Sequence, residues 1–275
     1  MNKVLLIGGV CLALSLSACQ HAPTQRDTVV SQQQIQQIQH DFQTHAIDGV
    51  MTIYNGQSFA NFGSDVDRAT QQYIPASTFK ILNALIGLEH GKVTSSEVFK
   101  WDGQKRSFPA WEKDMTLAQA MQASAVPVYQ ELARRIGLPL MASEVKRVGY
   151  GNQNIGTQVD NFWLVGPLTI SPEQEAKFAY QLANQQLAFS KNVQQQVQQM
   201  ILIEEKQGYK LYAKSGWGMD VEPMVGWYTG WVEQPNGKVQ AFSLNMTMQK
   251  DSSPKTRQTL TISTLKTLKL LPENF

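Results

Sequence analysis

A serine and a lysine three residues apart, in Ser77-Thr78-Phe79-Lys80, stand where a helix is expected to begin. At i and i+3 they share one helix face. Pro75 opens this helix, Phe79, Leu82, Leu85, Ile86 and Leu88 form its apolar stripe, and Gly91 ends it after Glu89. Ser77 does not read as an ordinary cap, because a capping box wants Glu or Gln three residues on and Lys80 stands there. A cation at the positive end of a helix dipole costs about 0.3–1 kcal/mol, and a broken local rule is where function is worth seeking. Burial and the dipole both disfavour the ammonium, so the Lys80 pKa should fall below the usual ~10.4. A neutral amine beside a hydroxyl is a base beside a nucleophile. The N–H groups at the start of a buried helix can receive an oxyanion.

The S-x-x-K pattern also occurs at Ser143/Lys146, Ser252/Lys255 and Ser263/Lys266, so context singles out the first. Lys214-Ser215-Gly216 is the sole K-[ST]-G and ends a strand pattern. Its glycine lets a substrate backbone come close, and a strand edge can hold an amide as an added strand. Ser124-Ala125-Val126 places a hydroxyl at a helix boundary before Pro127, although S-x-V also occurs at Ser64/Val66 and Ser96/Val98. In that order the three motifs approach the signature of serine β-lactamases and penicillin-binding proteins.

These residues need a scaffold. Gly49 to Tyr54 and Ser58 to Phe62 read as a hairpin around Asn55-Gly56. After the helix from Pro75 come helical patterns at Leu117 to Ala123, Val128 to Ile136, Pro172 to Asn184 and Val193 to Ile203. The period then switches to two at Tyr209 to Ser215, Val225 to Glu233 and Val239 to Met248, and a final helix runs from Pro254 to Leu268. The expected class is α+β: an antiparallel sheet built from both chain ends, flanked by helices, with an inserted helical half.

A chain of 275 residues can bury a sizeable core, and a net charge of +2 gives no support to a nucleic-acid partner. Both cysteines, Cys11 and Cys19, lie in the first 19 residues, which removes disulfides and thiolate metal sites from the folded part. Only His40 and His45 approach a ligand spacing, so no metal is expected. Lys3, the apolar run Val4 to Leu16 and the small residues Ser17 and Ala18 read as an export signal over residues 1–18. Leu16-Ser17-Ala18-Cys19 resembles a lipobox, which implies lipidation of Cys19 as the sole membrane tie; an ordinary signal cut nearby is the alternative. Residues 19–40, rich in glutamine, are expected to be a polar spacer before a single domain over 41–275, although Ile35 and Ile38 could seat a helix start.

Together, Ser77-Thr78-Phe79-Lys80, Ser124-Ala125-Val126, Tyr150-Gly151-Asn152, Trp163-Leu164 and Lys214-Ser215-Gly216-Trp217-Gly218 resemble the class D, or oxacillinase-type, serine β-lactamases. The likeness is greatest to the Acinetobacter carbapenem-hydrolysing branch and runs from about Gly49 to the last helix. It implies a β-lactamase/transpeptidase-like fold and hydrolysis of β-lactams, penicillins and carbapenems among them, in the periplasm. It implies Ser77 as nucleophile, Lys80 as general base carrying a CO2-derived N-carboxylate with no other cofactor, and Trp163 holding that group. No Glu is followed four residues later by Asn, so the glutamate motif of the class A enzymes is absent. By the same resemblance Ser124 and Lys214 relay a proton, and the N–H groups of Ser77 and Trp217 form the oxyanion hole. Val126, Leu164, Ser215 and Gly216 line the substrate, Arg257 anchors its carboxylate, and Phe108 and Met219 form an apolar bridge over the cleft. A penicillin-recognising sensor domain or a D-Ala-D-Ala peptidase, acylated but not turning over, would share the motifs. Oligomeric state is left open by the sequence.

Overall fold

The computed structural model describes residues 30–275, so the expected export signal, Cys11 and the lipobox-like Leu16-Ser17-Ala18-Cys19 lie outside the described residues. The first element is a helix, α1 (Gln32–Thr44), capped by Ser31 in a reciprocal box with Gln34. Ile38 and Phe42 are buried, and the glutamines face outward. Gln34 Nε2 donates to the Thr267 carbonyl at 2.7 Å, and Ser263 Oγ donates to Asp41 Oδ2 at 2.8 Å. From Ser31 onward these contacts replace the expected spacer by helix: the boundary placed at residue 41 falls inside α1, because Phe42 one turn beyond Ile38 completes an apolar stripe among the glutamines, while residues 19–29 lie outside the described residues.

Strands β1 (Gly49–Tyr54) and β2 (Phe59–Gly63) form the expected hairpin, and β3 (Val98–Phe99) pairs with β4 (Met115–Thr116) in a small separate ribbon. The C-terminal strands are β5 (Leu202–Lys206), β6 (Tyr209–Gly218), β7 (Met224–Glu233) and β8 (Val239–Met248). One antiparallel sheet runs β2-β1-β8-β7-β6-β5, with Gly49 opposite Met246, so both chain ends meet at the β1/β8 pair. Between them lie α2 (Lys80–Glu89), α3 (Leu117–Gln122), α4 (Val126–Ile136), α5 (Leu138–Arg147), α6 (Pro172–Ala183) and α7 (Lys191–Met200), and α8 (Thr256–Thr267) follows the sheet. The expected α+β plan with a helical insert is what the chain adopts.

Side-chain alternation along β7 sorts the layers. Gly226 faces α8, where an added Cβ would meet Arg257 at 3.1 Å, while its neighbour Trp227 donates its indole N–H to the Ile74 carbonyl at 2.9 Å. The Ile74 side carries the turn with Ser77. Two elements differ from expectation. The helix read to Ile203 stops at Met200, and the chain enters β5, an almost wholly exposed edge strand that shows no alternation in its sequence. Helix α5 was not anticipated; Gly137 with φ of 81° and Pro139 interrupt the pattern, yet Met141, Glu144 and Val145 are buried. Among the described residues no helix is long and apolar enough to cross a membrane.

Candidate active site

Ser77 sits in a short 3-10 turn, Ala76–Phe79, that runs directly into α2, whose first residue is Lys80. Phe79 locks this turn from below: its ring stacks on Trp163 at 5.4 Å and meets Phe162 edge-on at 4.9 Å and Tyr150 at 5.7 Å. From the side, Ala76 N–H donates to the Trp163 carbonyl at 2.9 Å. Ala76 holds a φ of 49°, a left-handed conformation that a residue with a Cβ keeps only where its surroundings fix it. The strain stands immediately before Ser77.

Lys80 is 0% exposed, and its Nζ lies 2.6 Å from Ser77 Oγ. The Tyr129 ring centroid is 5.7 Å from the same nitrogen. Burial, followed by the charge of Lys214, drives the Lys80 pKa well below its ordinary value. The amine is thus disposed to be neutral and to act as a base at the serine.

A second serine and lysine close the site from the opposite side. Ser124, at φ of 53°, precedes α4, and Lys214 Nζ donates to its Oγ at 2.9 Å and to the Ser215 carbonyl at 2.7 Å. Lys214 is also buried, and burial with the neighbouring Arg257 charge lowers its pKa to about 7. It can therefore gain and lose a proton near neutrality.

Beyond Ala213, β6 presents an unpaired edge to the serine turn. Ala213 N–H reaches the Ile201 carbonyl at 2.9 Å, on the β5 side. By strand alternation Ser215 and Trp217 turn their N–H groups the same way, and there β5 has ended and the Ala76–Phe79 turn packs instead. Gly216 lets the two segments approach closely: an added Cβ would press on the Pro75 carbonyl at 3.1 Å and Trp227 at 3.2 Å. Arg257 Nη1 donates to the Gly216 carbonyl and Nη2 to Pro254 O at 3.3 Å, with the guanidinium 5.3 Å from the Trp217 ring. Burial pulls the Arg257 pKa down to about 10, so it remains a cation at neutral pH.

The remaining candidates are placed less tightly. Val126 begins α4, and half-buried Leu164 sits in the turn after Trp163. Phe108 and Met219 are 44% and 45% exposed on separate loops, and the ring partner of Phe108 is Trp111, at 4.7 Å. Tyr150-Gly151-Asn152 is more than a turn. Gly151, at φ of 55°, leaves no room for a Cβ against the Thr169 carbonyl, and Asn152 bonds the backbone of Pro167 and Thr169. Sequence reasoning missed two residues: Tyr129, over Lys80, and Glu175 of α6, which is buried against Thr78 and Tyr150. No local pattern marks either one.

This geometry has known counterparts. Residues 49–264 match the family model described as penicillin binding protein transpeptidase domain. The chain is 40% identical to β-lactamase OXA-48 of Klebsiella pneumoniae, over 84% of this chain and 87% of that one. It is 39% identical to β-lactamase OXA-10 of Pseudomonas aeruginosa, covering 80% and 84%, and 37% identical to the probable β-lactamase YbxI of Bacillus subtilis, covering 80% of each. Among solved structures it superposes on a class D β-lactamase, YbXI, from Nostoc with a TM-score of 0.81 at 38% identity, covering 85% of this chain and 99% of that one. A class D enzyme from Fusobacterium nucleatum, FUS-1, also gives 0.81, at 32% identity and with coverage of 86% and 98%. Two serine–lysine pairs facing one another across a strand edge, on a fold shared with these enzymes over most of its length, make the chain a class D serine β-lactamase of the penicillin-binding transpeptidase family.

Proposed function

We propose that Ser77 opens the β-lactam ring, and that the 2.6 Å approach of its Oγ to the buried, pKa-depressed Lys80 amine is the observation that carries this reading. Ser77 Oγ attacks the lactam carbonyl as Lys80 takes its proton. The N–H groups of Ser77 and Trp217 receive the developing oxyanion, Trp217 from the free edge of β6. Ser124 and Lys214 pass a proton to the departing ring nitrogen, a role suited to a lysine whose pKa lies near 7.

Substrates of this kind carry a carboxylate beside that nitrogen. Arg257 spends one N–H on Gly216 and one on Pro254, and the rest of its five donors are available for bidentate capture. Lys214 and Ser215 lie on the same strand end. Val126 and Leu164 line the cleft, and Phe108 and Met219, exposed on separate loops, would roof it. A thioether against a ring is worth about 0.3–1.5 kcal/mol and sheds water, which supports carbapenems among the substrates.

The residues around Lys80 fit N-carboxylation. The modification needs a neutral amine, which burial supplies, and the Trp163 indole N–H is buried without a hydrogen-bond partner among the described residues. Carried there, the carboxylate would supply a base for the Ser77 proton and for the water that hydrolyses the acyl-enzyme. Trp163 orients and Tyr129 excludes water on the other side. Export to the periplasm with a lipid at Cys19 completes the reading.

Mixing the purified protein with an excess of a chromogenic cephalosporin, with and without bicarbonate, tests it. Sustained turnover that rises with bicarbonate is the expected result. A stoichiometric burst followed by arrest would contradict hydrolysis, and turnover indifferent to bicarbonate would contradict carboxylation of Lys80.

A further inference from the structure

The Thr78 hydroxyl, next to Ser77, lies between two oxygens. Its Oγ1 is 2.8 Å from the Pro75 carbonyl and 2.5 Å from Glu175 Oε1, and the Tyr150 hydroxyl is 2.8 Å from the same Oε1. Thr78, Tyr150 and Glu175 are all buried. A hydroxyl has one hydrogen to give. With Glu175 ionised, the two hydroxyls cannot supply hydrogens to all three contacts, and one pair of oxygens faces lone pair to lone pair. With Glu175 protonated the account closes. Its O–H donates to Thr78 Oγ1, Thr78 donates to the Pro75 carbonyl, and Tyr150 donates to Oε1.

The end of this chain is the turn that aims the nucleophile. The Pro75 carbonyl also accepts the Thr78 N–H at 3.2 Å and abuts Gly216, and it directly precedes the left-handed Ala76. We propose that Glu175 is a positioning residue acting as a neutral acid: it donates to Thr78, Thr78 fixes the Pro75 carbonyl, and ionisation of Glu175 releases the turn bearing Ser77. The inference rests on reading Ser77 as the nucleophile.

The surroundings favour the protonated form. Burial raises the Glu175 pKa to about 7, and donation by Thr78 and Tyr150 to the ionised form opposes this only in part. The first turn of α6 favours an anion weakly. No cation is bonded to Glu175 among the described residues. The elements packed on α6 are β1, β7, β8, α7 and the short turn at 66–70. Their charged and titratable groups are Tyr54 on β1, Tyr228 and Glu233 on β7, Lys191 on α7, and Asp67 and Arg68 in that turn; β8 has none. Arg68 is engaged with Asn245 and Asp48, and Glu233 with Lys210. On the serine turn Lys80 is burdened by Lys214, and Lys214 by Arg257. Tyr150, itself pushed well up by burial, is the titratable group that faces Glu175.

Infrared difference spectra between the wild type and Glu175→Gln, followed against pH, read the protonation state directly, and the rate of Ser77 acylation by a fluorescent penicillin reads its consequence. The amide of the variant keeps neutral N–H donors at every pH. A protonated-carboxyl band that Glu175→Gln lacks should be present in the wild type at acid pH and fade through neutrality. Between about pH 6 and pH 9 wild-type acylation should fall roughly tenfold further than that of the variant, the cost of one lost hydrogen bond. Any alkaline loss from Lys214 is common to both proteins and cancels in the comparison. Glu175→Ala should be slow at both ends. Superimposable pH profiles for the wild type and Glu175→Gln, or a carboxylate band already present at about pH 5, would overturn the proposal. The infrared band reports Glu175 whether or not Ser77 is acylated, so failure of this inference is separable from failure of the nucleophile assignment.

Discussion

Lys214 Nζ and Ser124 Oγ, ninety residues apart in sequence, lie 2.9 Å from each other, one at the end of a strand and the other at φ of 53° before a helix. That pair faces the Ser77–Lys80 pair, so the site holds two buried amines and both are pressed toward neutrality. Its pH dependence follows from this crowding.

Glu175 and Lys214 should pull stability in opposite directions on the two sides of neutral pH. Glu175 is raised from 4.5 to about 7, so the folded state holds a proton that the unfolded state has lost, and stability falls as pH climbs through that window. Lys214 is lowered from 10.5 to about 7, so above that value the unfolded state binds the extra proton and stability rises toward 10.5. Denaturant titrations of the wild type and two variants across this range separate these contributions from the rise that Lys80, also lowered, adds. Glu175→Gln should remove the acid-side fall, and Lys214→Met should flatten the alkaline rise.

Replacing Arg257 by Lys should raise KM for penicillins about 10–100-fold with a smaller change in kcat, because a point charge cannot reproduce a bidentate clasp worth about 1.5–3 kcal/mol. Steady-state kinetics on a penicillin and on its carboxylate ester would check this. An equal loss on both substrates would place Arg257 outside carboxylate recognition.

Trp163→Phe keeps a ring against Phe79 and deletes the unpartnered indole N–H. Loss of part of a fully buried ring should lower stability by about 1–3 kcal/mol without unfolding the protein. The bicarbonate needed for half-maximal turnover should rise severalfold. A variant with an unchanged bicarbonate requirement would show that the indole N–H plays no part in holding a carboxylate at Lys80.

Phe42→Ala tests whether the glutamine-rich segment belongs to the domain. Phe42 is fully buried on α1, and truncation of a buried phenylalanine costs about 3–5 kcal/mol. Thermal unfolding should shift down accordingly. A melting temperature equal to that of the wild type would make α1 an appendage.

The chemistry-bearing motifs were legible because each breaks a local rule or ends an element: a lysine at a helix start, a serine before a proline helix, a K-S-G at a strand end. The sheet was legible from alternation in its C-terminal strands and from the Asn55-Gly56 turn. What was missed depends on partners distant in sequence. Strand β5 is exposed on both faces and carries no period, and α1 is held by Thr267 and Ser263 near the other end of the chain. Glu175 reads as one more helix acid, since nothing local announces that Thr78 and Tyr150 close over it. Arg257, taken alone, reads as a solvated helix charge, and only the family resemblance marks it before α8 lays it on the Gly216 carbonyl.

The central claim is that Lys80 serves Ser77 first in forming and then in clearing an acyl-enzyme. Intact-protein mass spectrometry of the wild type and Lys80→Ala mixed with one penicillin, with peptide mapping of any adduct, tests it most directly. The wild type should return to its free mass, while Lys80→Ala should acquire its adduct slowly, on Ser77, and clear it about 100–10,000-fold more slowly, as for loss of a general base. An adduct on any other residue, or a Lys80→Ala adduct cleared at the wild-type rate, would contradict the account.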